Sequence, residues 1–419
     1  MHTQLFVQLV VILGTARLLA LLLRRIGQPP VIGEMLAGLA LGPILLGSLA
    51  PEWHAQLFAR ESLGVLTGLS QIGLVLFMFI VGAELRMPRG VRQQVIAASW
   101  VSVLSVLLPM ALGLAIAPAL YPRFAPDHVQ FWPFALFMAS SMAITAFPVM
   151  ARILKERGMT HSAVGQLSLT AAAIADVLVW VLLAVVVALI SSEQGWSGLA
   201  RTCGGLLLLA VVAFAIVRPL LARVLPHHAA DGRPDGMVLA SLLIATFAFA
   251  ALTEWLHLHA VFGAFLFGAC LPRDDRLLHT LVERLEHVAV IVLLPVFFAM
   301  AGLNTTPDAF AGPAVSALLL ILGAAVFGKV LGGAGGARIA GLGWRDAVAV
   351  GSLMNARGMM ELIVMKVGLD IGVIGKEIFT MLMVMTILTT VMTTPLLAWF
   401  TRSRASPRAE PLPTREGLG

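Results

Sequence analysis

The stretch from Ser162 to Ile190 reads SAVGQLSLTAAAIADVLVWVLLAVVVALI. At 1.5 Å of helical rise per residue, about 20 apolar residues cross the hydrocarbon core of a bilayer, and this run is longer. Its one ionisable side chain, Asp176, falls near the middle. A carboxylate at that depth costs roughly 2.5–3.5 kcal/mol on insertion scales, and such residues mark ion or proton pathways. If Asp176 is one of them, the flanking sequence should supply a membrane scaffold around it.

It does. The chain has 419 residues, of which 59% are hydrophobic and only 12% charged, with a mean hydropathy of +0.95. A soluble protein would carry about 25% charged residues. Spanning-length apolar runs recur throughout, so the fold class is an all-α polytopic membrane protein. The runs do not alternate apolar and polar over ~10 residues as barrel strands do. Thirteen spans are expected, at roughly 4–23, 31–48, 64–84, 93–120, 131–151, 162–190, 202–217, 237–256, 259–271, 288–303, 311–331, 346–368 and 377–400. The ninth is short. Arg273 to His287 reads as an amphipathic interfacial helix. MHTQLFVQLV has no basic residue ahead of its apolar run and reads as a first span, not a signal peptide.

The loops test the count. Twenty Lys and Arg lie in connections after odd-numbered spans and in the tail, against four (Arg60, Arg123, Arg201, Lys376) after even-numbered spans. This asymmetry places the N-terminus outside and the C-terminus in the cytoplasm. It also explains the net charge of +6 without nucleic acid. Residues 1–400 are expected to form one transmembrane domain and 401–419 a short disordered tail. Cys203 and Cys270 fall on opposite faces, so no disulfide is expected between them. No metal-ligand spacing, P-loop, GxSxG or HExxH stands in the chain, so neither a cofactor nor an enzyme activity is expected.

Thirteen spans divide into six, a linker and six, a plan in which two inverted repeats build a transporter around broken helices. The fifth span contains Ser140, Ser141, Thr145 and Pro148, which removes a helical hydrogen bond. The twelfth contains Gly351, Asn355, Arg357 and Gly358. Each is the penultimate span of its half. Ser140, Ser141 and Thr145 offer neutral oxygens to a hard cation or cap freed backbone. Asn355 is a ligand or a cap. Lys329 is a fixed charge that compensates the crossing helix ends or an empty Asp176, or it snorkels to the interface. Arg357 and Glu361, four apart, can pair on one helix face. Glu34, one turn into the second span, is an entry-funnel acid or an interfacial one. Arg17 reads as snorkelling, and the histidines as loop residues.

Four stretches resemble the sodium/proton exchanger domain of the monovalent cation:proton antiporters: QPPVIGEMLAGLALGP (28–43), SSMAITAFPVMARILKE (140–156), LTAAAIADVLVWVLLA (169–184) and GSLMNARGMMELIVMKVGLDIGVI (351–374). LLPVFFAMAGLNT (293–305) is similar but less specific. The resemblance covers about residues 5–400. It is nearest to the branch of bacterial Na⁺ or K⁺ antiporters and plant cation/proton exchangers. It implies a core with two crossed discontinuous helices facing a dimerisation and panel domain. It also implies a homodimer in a bacterial inner membrane, exchange of Na⁺ or K⁺ for H⁺ at Asp176, and room for a separate regulatory subunit. Many relatives carry two acids in tandem at the site. Here the first position is Ala175, which leaves Lys329 without the acid it often pairs with in those relatives and points to electroneutral exchange. The rival readings are a channel-like gated potassium-efflux protein and a sodium-coupled organic anion symporter.

Overall fold

The computed structural model describes residues 2–84, 92–191, 195–228, 236–256, 258–272 and 275–401. Among them every regular element is helical. The chain opens with α1 (His2–Arg25) and α2 (Pro30–Leu41), then two short helices, α3 (Leu46–Leu49) and α4 (Pro51–Leu57). Next come α5 (Arg60–Glu84), α6 (Arg92–Phe124), the pair α7 (Phe131–Ala143) and α8 (Phe147–Glu156), and α9 (Ala163–Ser191). A linker follows, in which α10 (Gly195–Val212) runs through a π-helical turn into α11 (Arg218–His228). The second half holds α12 (Gly236–Trp255), α13 (Ala260–Ala269), α14 (Asp275–Val288) and α15 (Leu294–Leu303). It ends with α16 (Pro313–Ile339), the pair α17 (Trp344–Met354) and α18 (Met359–Asp370), and α19 (Lys376–Thr401).

Eleven helical stretches are long and apolar enough to cross a membrane, and α17 with α18, bent by 45° at their break, makes a twelfth. The short ninth span of the sequence reading is α13, which at ten residues falls below spanning length. The count of thirteen is therefore approximate. The amphipathic segment is α14, with Leu281 and Leu285 buried and Arg284 and His287 exposed. Residues 402–419, most of the expected tail, lie outside the described residues.

The helices sort by packing into two groups. In one, α6 lies along α16, and α7, α8, α9, α17, α18 and α19 close around them. In the other, α1, α2, α5, α12, α13 and α15 pack on each other, and α19 against α2 is the main contact across. The halves repeat: α6 packs on α7 and α9 as α16 packs on α17 and α19, and α1 packs on α2 as α12 does on α13.

Small residues permit the central contact. A Cβ on Gly328, Gly332 or Gly336 would lie 2.4–2.7 Å from α6 backbone atoms at Pro109, Leu104 and Val101. Their four-residue spacing lays one α16 stripe against α6, the close approach that small residues allow between apolar helices. Gly351 was expected at the break of the twelfth span, but it lies inside α17, before the break at Asn355–Gly358. A Cβ there would sit 2.2 Å from the Val330 carbonyl oxygen. Gly351 is thus a contact residue that lets α17 press on α16. Gly358 does stand at the break, as the residue before α18.

Candidate functional site

Asp176 lies in α9 with 7% of its surface exposed. Ala175 and Ala172 beside it are fully buried, so the polar partners must come from other helices. The backbone N–H of Phe147, the first residue of α8, faces the Asp176 carboxylate. A carboxylate is stabilised there by the unpaired amides and positive partial charge of a helix N-terminus. Pro148 occupies the first turn of α8, where its missing N–H costs nothing. The break of the fifth span is Ile144–Ala146, with Ile144 and Ala146 in extended conformations.

The second break crosses the first. The Ala146 N–H donates to the Ala356 carbonyl at 3.0 Å, one rung of extended backbone joining the two broken spans. Helix ends meet here in apolar surroundings, so their unpaired groups need partners. At the end of α7 two cations supply them. The Arg357 guanidinium donates to the carbonyls of Ser141 (3.3 Å) and Met142 (2.8 Å), and Lys329 Nζ to that of Ala143 (2.5 Å). Positive charge is favoured at a helix C-terminus. Arg357 also pairs with Glu361 at 2.6 Å, and all three charged residues are fully buried.

Lys329 therefore has a role that does not require a second acid. Its ammonium donates to Thr145 Oγ1 (2.6 Å) as well as to Ala143, rather than to the Asp176 carboxylate. Removing a buried partner strands its acceptor at a cost of about 1–3 kcal/mol. Lys329→Met is expected to lose stability of that order, read as a lowered thermal midpoint of the purified protein; an unchanged midpoint contradicts this role.

The other expected site residues divide. Asn355 Nδ2 donates to the Thr389 carbonyl at 3.2 Å, while its Oδ1 is buried without a hydrogen-bond partner. The Ser140 hydroxyl bonds the Leu136 carbonyl of its own helix, and the Ser141 hydroxyl is buried and unpartnered. Glu34 belongs to a separate group: it pairs with Arg17 at 3.6 Å, with Arg152 of α8 also acting on it.

The hydroxyls of α19 escaped the sequence reading. Thr390 Oγ1 accepts from the Arg357 N–H (3.0 Å) and donates to the Arg357 carbonyl (2.8 Å). Thr386 stands beside Glu361, and its hydroxyl donates to the Leu382 carbonyl of its own helix at 2.8 Å. Thr386, Thr389, Thr390 and Thr393 recur at three- and four-residue spacing in the last span and are nearly or fully buried. That period in an apolar helix was a visible sign of a polar face turned inward.

A family profile described as "Sodium/hydrogen exchanger, transmembrane" matches residues 10–402. The chain belongs to this family. The chain is 39% identical to the Na(+)/H(+) antiporter NhaS4 of Synechocystis, over 93% of its own length and 95% of that protein's. It is 36% identical to cation/H(+) antiporter 17 of Arabidopsis thaliana, over 94% of its own length and 48% of that protein's. It is 33% identical to K(+)/H(+) antiporter 1 of Saccharomyces cerevisiae, over 88% of its own length and 43% of that protein's. It thus spans about half the length of these plant and yeast relatives. Its fold is similar to that of the sodium proton antiporter MjNhaP1 from Methanocaldococcus jannaschii, with a TM-score of 0.66 at 15% identity, covering 93% of this chain and 98% of that one.

Proposed function

We propose that this exchanger is a secondary antiporter that swaps a monovalent cation, Na⁺ or K⁺, for H⁺. One observation carries the reading: a buried carboxylate, Asp176, lies beside the crossing of two broken helices, and Lys329, whose charge acts on it, donates its hydrogen bonds instead to Ala143 and Thr145. In general, burial disfavours a charged carboxylate and an amide N–H beside it favours one. A carboxylate balanced in that way holds a proton or a cation but not both. Thr145, Ser141, Ser140 and Asn355 supply neutral oxygens around the crossing, and Lys329 and Arg357 hold the broken ends in place. Glu34 lies on the cytoplasmic approach.

In this reading the group built on α6 and α16 carries Asp176 past the other helices and exposes it to each side in turn. The protein works as a homodimer in a bacterial plasma membrane, N-terminus outside and C-terminus in the cytoplasm. The names of the relatives, Na(+)/H(+) and K(+)/H(+) antiporters, support exchange over a channel or an organic anion symporter. With Ala175 in place of a second acid, the exchange is one for one and moves no net charge.

Everted vesicles challenged in turn with Li⁺, Na⁺, K⁺ and Rb⁺ test this. Na⁺ or K⁺ should dissipate a preformed proton gradient, at a rate unaffected by clamping the membrane potential at different values. A rate that depends steeply on potential overturns one-for-one exchange. Cation flux without proton movement overturns the antiport.

A further inference from the structure

The guanidinium of Arg357 is held by three hard oxygens. It contacts the carbonyls of Ser141 (3.3 Å) and Met142 (2.8 Å) and the Glu361 carboxylate (2.6 Å). The Ser141 hydroxyl, on the same turn of α7, is buried and makes no hydrogen bond. Glu361 is fully buried and lies in the first turn of α18. Two carbonyls and a carboxylate are oxygens of the kind that hard cations take from proteins, and the unpartnered Ser141 hydroxyl stands on the same turn.

The internal repeat sharpens the comparison. In the first half, the first amide of α8 meets a carboxylate on α9, Asp176. In the second half, the Arg357 amide at the matching break meets a hydroxyl on α19, Thr390. The negative charge of that half lies instead at Glu361, where Arg357 neutralises it.

We propose that Arg357 is a resident cation: its guanidinium fills a second monovalent-cation site, made by the end of α7 and Glu361, and so keeps a second cation out of the crossing. Resting on the exchange reading above, this deepens it, because the charge moved per cycle then depends on Arg357 as well as on Ala175. Without Arg357 the Glu361 carboxylate loses its bonded counter-charge and keeps only the charge of Lys329 nearby, and the site recruits a small cation from solution.

The test uses the purified full chain in detergent. Arg357→Ala should show a lowered thermal midpoint that guanidinium or Na⁺ raises, relative to choline at matched ionic strength, by more than either raises that of the wild type. It should also bind one more Na⁺ per chain than the wild type in equilibrium dialysis. Both gains should vanish in Arg357→Ala/Glu361→Gln, where the site has lost its charge. Should Arg357→Ala fail to fold on its own, extraction in dilute guanidinium should recover it. The proposal is overturned if guanidinium does not recover an unfolded variant. It is equally overturned if a folded one responds to guanidinium and Na⁺ no more than the wild type and binds no additional cation. These readouts report binding and stability, so they stand whether or not Asp176→Asn abolishes exchange.

Discussion

Asp176→Asn is expected to reduce cation-dependent proton movement in everted vesicles to the level of vesicles without the protein. Asn has nearly the shape of Asp, and its side-chain oxygen can still accept the Phe147 N–H. What it lacks is a titratable oxygen. A neutral amide neither takes up a proton near neutral pH nor balances the charge of a desolvated cation, so both halves of the exchange fail together. The variant should nonetheless fold, because a buried amide with a hydrogen bond costs less than a buried carboxylate. A thermal midpoint close to the wild type's alongside lost exchange would separate lost chemistry from lost structure. Wild-type-like exchange in this variant sinks the role given to Asp176.

The second large effect concerns stability. Glu361→Ala leaves the Arg357 guanidinium fully buried with carbonyl partners but no counter-charge. Breaking a buried ion pair from one side costs about 3–5 kcal/mol. The variant should show a sharply lower thermal midpoint and a reduced yield of extractable protein. Replacing both partners by apolar residues of similar volume, Arg357→Met with Glu361→Leu, should be less harmful than Glu361→Ala. Removing both charges leaves no uncompensated one, although the α7 carbonyls lose their donors. If the double variant is the less stable, Arg357 contributes mainly through those carbonyls.

How far the chain could be read in advance depended on whether the signal was local. Asp176 stood out because the apolar sequence around it is continuous. The break before Pro148 was legible because proline removes a hydrogen bond wherever it stands. Arg357 and Glu361, four apart, do pair, although Arg357 lies in the break ahead of α18 and not on its face. Gly351 misled because glycine marks a break and a close helix contact equally well, and only the neighbouring Val330 carbonyl separates the two. Lys329 could be read as a charge that compensates the crossing helix ends, but its partners Ala143 and Thr145, 186 and 184 positions away, could not be named from the sequence. The threonines of α19 were legible by period alone, but hydroxyls in a membrane helix bond their own backbone so readily that the period carried little weight. The short α13 blurred the span count because ten residues suit a partial crossing as well as a buried core helix.

The central claim is that proton and cation compete for one carboxylate. Adding Na⁺ or K⁺ to purified protein in a weakly buffered detergent solution measures this directly, through the protons released. At a pH where Asp176 is protonated, cation binding should release one proton per chain, and Asp176→Asn should release none. Cation binding without proton release, or the same release from Asp176→Asn, would contradict the account.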